Sequence, residues 1–496
     1  MHLIISKALV TVSIVSLTSA SLLMERRCIG IFQPCDGGGC CQGLTCTEGI
    51  PYGNCMPTPG VCGVAGDQCS TELPRNVSCC EGLTCVGLAG PSMGNSRSRW
   101  ALKAQAVMWR NLMDIGMHLH MLAPPPAPGP SFSTNISSKL ASKSGKIPLH
   151  FYVPESYNSE ETVLSKRVYP VVINFHGGGF TIGRATDDAR WARAVVHYAD
   201  AVVVSVDYRL APEHPFPTAI EDGADATLYL IEHADELQID PHRIAYSGFS
   251  AGGNMSFSVP IRLAEEYRLR RLQREVDSAG PSSSTEAGST TAAQEGTVIA
   301  ISSWYPSIDY TNTRDERRKT NVRSDKELPK FFTNLFDSSY LYPVNGVDLK
   351  SPWLSPGIAP SDMIKDLPEN IVLYTCEWDE LCAEADRFRN RLVNDFGKKV
   401  VYKKVMGVAH AFDKTPNPLH WDPKIETMYR DACQELKTVF YGSSSDTALE
   451  QAVAEGKEGQ QASVTTRIED IKFPSSQDSL ATVGSKYQQP VAGNSK

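Results

Sequence analysis

The sequence predicts an α/β fold, a mostly parallel sheet flanked by helices and preceded by a small disulfide-rich region. Three observations carry that expectation. Short apolar runs alternate with helical patterns from residue 147 to residue 440, and runs of four to seven residues separated by crossover helices read as strands buried on both faces. Eleven of the fourteen cysteines fall between Cys28 and Cys85. Gly248-Phe-Ser250-Ala-Gly252 stands at the junction of a strand pattern and a helix pattern.

The whole-chain quantities agree. The 496 residues hold 48 Lys and Arg against 56 Asp and Glu, a net charge of −8, with 41% hydrophobic and 21% charged residues. Such a chain buries a sizeable core, and its mild acidity lacks the basic stripe of a nucleic-acid binder. After residue 24 no run approaches the roughly 18–20 apolar residues of a membrane helix. The expected partner is a small molecule, with neither nucleic acid nor an integral membrane segment, and with the oligomeric state left open.

From the N-terminus, His2 and Lys7 precede an apolar stretch, Ala8 to Leu17, and the small residues Thr18-Ser19-Ala20. The pattern reads as a signal peptide over 1–20. The cysteines then form two copies, 28–55 and 62–95, each containing Cys-Cys-x-Gly-Leu-Thr-Cys. Segments this small need covalent help, so dense cysteine in a secreted chain implies a disulfide framework. A zinc cluster would want paired Cys-x2-Cys units with nearby histidines, which are missing. The first copy resembles a knottin-like cystine knot, which implies pairing Cys28 with Cys41, Cys35 with Cys46 and Cys40 with Cys55. The second copy has only five cysteines, and its break falls just before the next domain. Two origins fit that break, a true fusion of a secreted cysteine-rich protein to an enzyme, or a gene-prediction error. The expected location is secreted, or cytoplasmic if the junction is an artefact.

The main domain is expected over 100–442. Ala101, Ala104, Met108, Leu112, Ile115, Leu119 and Leu122 form a helical stripe, stopped by Pro124–Pro126. Strands are predicted at Ile147–Val153, Val171–His176, Val202–Asp207, Ile244–Phe249, Val298–Trp304, Ile371–Cys376 and Val400–Val405. Helices are predicted near Ala189–Ala199, Thr218–Ala234, Ala251–Arg274, Ala383–Phe396 and Pro423–Phe440. The insertion 277–296 and the tail 443–496 are polar and small-residue-rich, the composition of solvated, disordered segments. Arg262–Arg274 reads as a charged solvent face. Cys376, Cys382 and Cys433 read as small core residues, with a Cys376–Cys382 bridge as an alternative. Of three glycosylation sequons, Asn76 and Asn135 are plausible sites, whereas a glycan on Asn254 of the nucleophile helix would prevent folding.

The chemistry is expected around Ser250. Gly-x-Ser-x-Gly between strand and helix is a nucleophile elbow, whose sharp turn leaves no room for a Cβ on either side. Upstream, His176-Gly-Gly-Gly-Phe180 ends a predicted strand. Consecutive glycines let backbone N–H groups converge on an oxyanion, so Gly178 and Gly179 are expected as donors, with the Ala251 amide as a third. His176 reads as a structural hydrogen-bonder.

Together with Asp207-Tyr-Arg-Leu-Ala-Pro-Glu-His-Pro-Phe-Pro217, these motifs resemble the hormone-sensitive-lipase-like family of α/β hydrolases, the fold-3 carboxylesterases. The resemblance implies an α/β-hydrolase fold, a helical cap at 100–122, and cleavage of short to medium acyl esters without metal or cofactor. It also implies a triad in the chain order Ser, Asp or Glu, His. His410 in Gly407-Val-Ala-His410-Ala-Phe412 follows the last strand and matches the family's Gly-x-x-His-Gly-Phe except at Ala411. His420, beyond Pro416 and Pro418, is its rival. Glu377, Asp379 and Glu380 follow Ile371–Cys376, and the family's Asp-x-Leu falls on Asp379. Asp386 reads as part of a solvated helix face. The expected catalytic set is therefore Ser250, Asp379 and His410. The alternatives are a non-catalytic binding protein, or a chain whose cysteine-rich modules act as a toxin-like or carbohydrate-binding element with the hydrolase as passenger.

Overall fold

The computed structural model describes residues 44–46, 55–57, 98–279, 295–343 and 346–442. Residues 1–20, expected as a signal peptide, Asn76, the tail 443–496 and most of the insertion 277–296 lie outside the described residues. So do Cys28, Cys35, Cys40 and Cys41. Within the cysteine-rich segment, Leu44–Cys46 pairs antiparallel with Cys55–Pro57, Cys46 opposite Cys55.

Eight strands build one sheet. They are β1 (Phe132–Ser137), β2 (Lys146–Tyr152), β3 (Tyr169–Phe175), β4 (Val202–Val206), β5 (Ile239–Phe249), β6 (Val298–Trp304), β7 (Asn370–Trp378) and β8 (Lys399–Ala409). Their spatial order is β1-β2-β4-β3-β5-β6-β7-β8. The pairs β1–β2 and β2–β4 are antiparallel, and every pair from β4 to β8 is parallel. The central strands β3 and β4 are buried at every position, as β-branched runs covered on both faces should be. The seven predicted strands are all present. β1 was not anticipated, because an edge strand reading Phe-Ser-Thr-Asn-Ile-Ser buries only Ile136.

Among the described residues ten helices accompany the sheet: α1 (Arg99–Leu122), α2 (Glu160–Ser165), α3 (Ala189–Ala194), α4 (Thr218–Glu232), α5 (Ala251–Ala279), α6 (Arg314–Lys319), α7 (Lys330–Tyr340), α8 (Ser361–Lys365), α9 (Cys382–Asn394) and α10 (Pro423–Tyr441). Strand alternation shows that they cover both faces. On β5, the Tyr246 hydroxyl meets Thr227 of α4 at 2.8 Å. Its neighbour Ser247 points the other way and accepts from Trp191 Nε1 of α3 at 2.8 Å. Trp304, opposite Phe249, packs edge-on against Trp191 and against Tyr429 of α10.

Two expectations are corrected, for Arg262 and Asp386, while the three cysteines are the small core residues the sequence suggested. The stripe of α1 faces outward: Met108, Leu112, Ile115 and Leu122 are exposed, while Leu102, Ala106, Met117 and His120 are buried. Arg262 is buried, bonded to Glu266 at 3.1 Å and lying over the Trp353 ring, so the charged solvent face begins only beyond it. Cys376, Cys382 and Cys433 are free and buried, with no Cys376–Cys382 bridge. Asp386 is paired with Lys404 at 2.7 Å and accepts from the Tyr402 hydroxyl.

Candidate active site

β5 ends at Phe249 and α5 begins at Ala251, so Ser250 occupies the single residue between them. Its φ is +56°, a left-handed value rare outside glycine and a local strain the turn imposes. The Ser250 amide donates to Trp304 O at 2.9 Å, and its carbonyl accepts from Asn254 N at 3.0 Å. Both flanking glycines are required by close approach. A Cβ on Gly248 would stand 2.2 Å from Gly252 O, and one on Gly252 1.9 Å from Phe175 O.

His410 follows β8 and Asp379 follows β7, neighbouring parallel strands whose C-terminal ends lie side by side. His410 Nε2 is 2.8 Å from Ser250 Oγ, and His410 Nδ1 is 2.7 Å from Asp379 Oδ2. The second oxygen, Asp379 Oδ1, accepts from the Leu381 amide at 3.0 Å, which fixes the carboxylate plane. Of the other two acids, Glu377 accepts from Gly407 N at 2.7 Å and Glu380 is buried against Arg314 and Arg318. His420 is exposed and Asp386 is paired elsewhere.

Burial works against protonation of His410. The Asp379 charge and hydrogen bond outweigh it, with Glu380 adding to them, and the imidazole is held above its ordinary pKa. The imidazolium that forms when His410 takes a proton is thus stabilised where it is needed.

Gly178 and Gly179 carry φ values of +112° and +59°. Among the described residues neither amide donates to a protein acceptor. The Phe336 ring of α7 lies against Gly179, where an added Cβ would be 2.3 Å away. Phe336 continues through Phe332 to Trp109 of α1, so an aromatic wall adjoins the glycine loop. Ala251 is buried at the first position of α5. His176 is buried too, stacked on Tyr208 with ring centres 4.2 Å apart, and its Nδ1 is 2.7 Å from Gly177 O. Burial lowers its pKa, so it stays neutral and structural. Asn254 is buried with its side-chain amide donating to Ser307 O and Leu354 O, which leaves no room for a glycan.

Sequence reasoning missed a polar network beneath these residues. Trp191 Nε1 donates to Ser247 Oγ, which donates to Asn174 Oδ1 at 2.6 Å. Asn174 Nδ2 donates in turn to Asp188 Oδ2 at 2.9 Å. The available signal was Asn174 and Ser247 themselves, single polar residues inside apolar strands. Among the described residues, no group of three or more His, Cys, Asp and Glu could hold a metal ion, and no helix is long and apolar enough to cross a membrane.

Residues 172–414 match a family described as alpha/beta hydrolase fold. Over 96 residues the chain is 49% identical to an AB hydrolase superfamily protein of Schizosaccharomyces pombe, which is 19% of this chain and 28% of that one. Over 151 residues it is 38% identical to the carboxylesterase NlhH of Mycobacterium tuberculosis, 29% of this chain and 47% of the relative. The chain thus spans less than half the length of these two curated relatives. A solved α/β-hydrolase enzyme from the Lake Arreo metagenome superposes with a TM-score of 0.51 at 23% identity, over 70% of this chain and 93% of that one, a likeness of fold. With the serine elbow, the histidine–triple glycine segment and the eight-stranded sheet in place, residues 172–414 have the α/β-hydrolase fold, and the chain is similar to the hormone-sensitive-lipase-like carboxylesterases.

Proposed function

We propose that the protein is a serine carboxylic ester hydrolase working through an acyl-enzyme, with Ser250 as nucleophile, His410 as base and Asp379 as the acid that orients it. One observation carries the reading: the hydrogen-bonded line from Ser250 Oγ through both His410 nitrogens to Asp379, at 2.8 and 2.7 Å. Neutral His410 takes the hydroxyl proton at Nε2 as Ser250 Oγ bonds to the ester carbonyl carbon. The carbonyl π pair moves to oxygen, and the amides of Gly178, Gly179 and Ala251 receive the oxyanion. Collapse breaks the bond to the alcohol oxygen, which leaves with the proton from Nε2. A water then gives its proton to His410, attacks the acyl carbon and releases the acid, restoring Ser250. No step calls for a metal or cofactor.

The reading includes short to medium acyl esters as substrates, on the family likeness, and secretion, on the Ala8–Leu17 segment and the cysteine density after it. The test is hydrolysis of p-nitrophenyl acetate, butyrate, octanoate and palmitate by the full chain and by Ser250→Ala. Turnover of the shorter esters, abolished by the substitution, is the expected result. A folded wild-type protein that cleaves none of them overturns the reading. N-terminal sequencing of protein recovered from the culture medium should begin just after Ala20.

A further inference from the structure

We infer that Lys414 is a positioning residue, which ties the loop bearing His410 to β5, the strand that leads into Ser250, through a buried cluster of charge. The inference rests on the esterase reading but uses residues that reading does not.

Lys414 lies four residues after His410, in a short turn, Phe412–Lys414. Its ammonium is 2.9 Å from Asp188 Oδ1 and 3.1 Å from Asp413 Oδ2, and the side chain is largely buried. It also sits over the ring of Phe249, 3.8 Å from its centre, and Phe249 is the residue before Ser250. Asp188 leads by Asn174 to Ser247, so Lys414 reaches β5 by two routes, one polar and one through the ring. Asp413 accepts the hydroxyls of Tyr305 and Tyr429, both at 2.5 Å. The Tyr305 ring in turn lies edge-on to His410, with centres 4.9 Å apart. The base, the residue packed on it and the nucleophile's strand therefore share one cluster.

The charge balance makes Lys414 the piece that cannot be dispensed with. Two buried carboxylates face one cation, and a buried carboxylate that loses its partner must take up a proton or break its contacts. Around Lys414 the titratable groups are His120 of α1, Asp187 and Asp188 of the turn Ala185–Asp188, Tyr305, Cys376 of β7, Asp413 and Tyr429 of α10. Arg190 lies beyond His120. Removing the ammonium leaves the two carboxylates to repel each other, and the turn after His410 is the movable end. Displacing a base by even about 1 Å can cost on the order of a hundredfold in rate.

The test compares full-length wild type, Lys414→Met, Lys414→Arg and Tyr305→Phe, in p-nitrophenyl butyrate turnover from pH 6 to pH 9. Labelling of Ser250 by a fluorophosphonate probe is followed in parallel. Lys414→Met should lower kcat about tenfold or more at alkaline pH with KM held within about twofold, since Lys414 touches no substrate. Its deficit relative to wild type should shrink as the pH falls and the freed carboxylates take up protons. Lys414→Arg should recover most of kcat. A folded Lys414→Met with wild-type kcat, a change in KM alone, or the same deficit at every pH overturns the inference. Should Lys414→Met not fold, Tyr305→Phe keeps every charge and is expected to lose kcat several-fold with KM unchanged, and unchanged kcat overturns the inference there. If wild type turns over no ester, the esterase reading falls. The labelling rate of Ser250 then still decides the role of Lys414.

Discussion

At the scale of the residue, His410 and its neighbour Ala411 make separate predictions. In the proposed mechanism His410 must be neutral to receive the Ser250 proton, and its pKa lies above the ordinary value because Asp379 outweighs burial. The acid limb of kcat/KM should therefore fall at a pH above about 6.5. Asp379→Asn removes the charge that raises it, and should lower kcat by roughly 10³–10⁴-fold while the fold survives. A pH–rate profile for each protein checks both. Ala411 has a φ of +57°, where the family pattern carries glycine. An L-residue there costs about 1–2 kcal/mol, against roughly 0.5–1 kcal/mol for the extra backbone freedom of glycine. Ala411→Gly should thus raise stability by up to about 1 kcal/mol, read from denaturant midpoints at constant m. The serine elbow, the glycine loop and His410 were legible because their chemistry demands local motifs. Lys414 and Asp413 were not, because a charged pair after a loop histidine reads as solvent-facing until the fold closes over it.

At the scale of the element, α1 shows how a helical period can be legible while the face it buries is not. Its helical repeat was readable, but the more apolar stripe points to solvent and the buried side includes polar residues. Arg110 sits on the inner side because it donates to Thr181 O and Ala211 O and pairs with Glu213. His120 is inside because its ring meets Thr415 O, and burial with the Lys414 charge brings its pKa down to about 4. Pattern reasoning gives such side chains to water, so the apolar stripe alone does not identify the buried face. The consequence is measurable in equilibrium unfolding. Ile115→Glu should change stability by no more than about 0.5 kcal/mol, while Leu102→Ala should cost about 2–5 kcal/mol. The reverse order would put the stripe back against the body. The same reasoning explains the helices that went unread. α6, Arg-Asp-Glu-Arg-Arg-Lys, has no apolar residue to set a period, and it is held by the Thr313–Glu316 capping box and the buried pair of Arg317 with Glu384. The parallel strands were legible for the opposite reason, since burial on both faces demands unbroken apolar runs.

At the scale of the whole molecule, buried ionisable groups pull stability in two directions, and the sum locates its maximum. Burial raises Asp187 to about 7 although the Arg184 amide and Lys414 oppose it, and burial raises Glu221 to about 7 despite Arg262. An acid whose folded pKa is raised holds a proton that the unfolded chain releases near 4. Its stabilisation is complete below that value and fades as the pH climbs through 7. His410, with a raised pKa, has the same sign: its contribution is present below about 6.5 and is lost as the pH rises through the folded value. His120 and His176 are lowered, both mainly by burial. Folding excludes their protons, so their contribution grows as the pH rises and is complete only above about 6.5. Asp413 is lowered because Lys414, Tyr305 and Tyr429 overcome its burial, and its contribution disappears only in acid, as the pH falls through that depressed value. Between pH 5 and 6.5 the histidines gain while the acids have begun to lose. Above 6.5 the histidines have nothing more to give, and Asp187, Glu221 and His410 all decline together. The Tm should therefore peak on the acid side of neutrality and fall toward pH 8.5, even though activity rises over the same interval as His410 loses its proton. Asp187→Asn combined with Glu221→Gln should remove the loss of stability that these two carboxyls impose between about pH 4 and 7, and leave the decline above that interval to His410. A Tm that instead rises steadily to pH 8.5 in the wild-type protein would mean that these two carboxyls are ionised in the folded state.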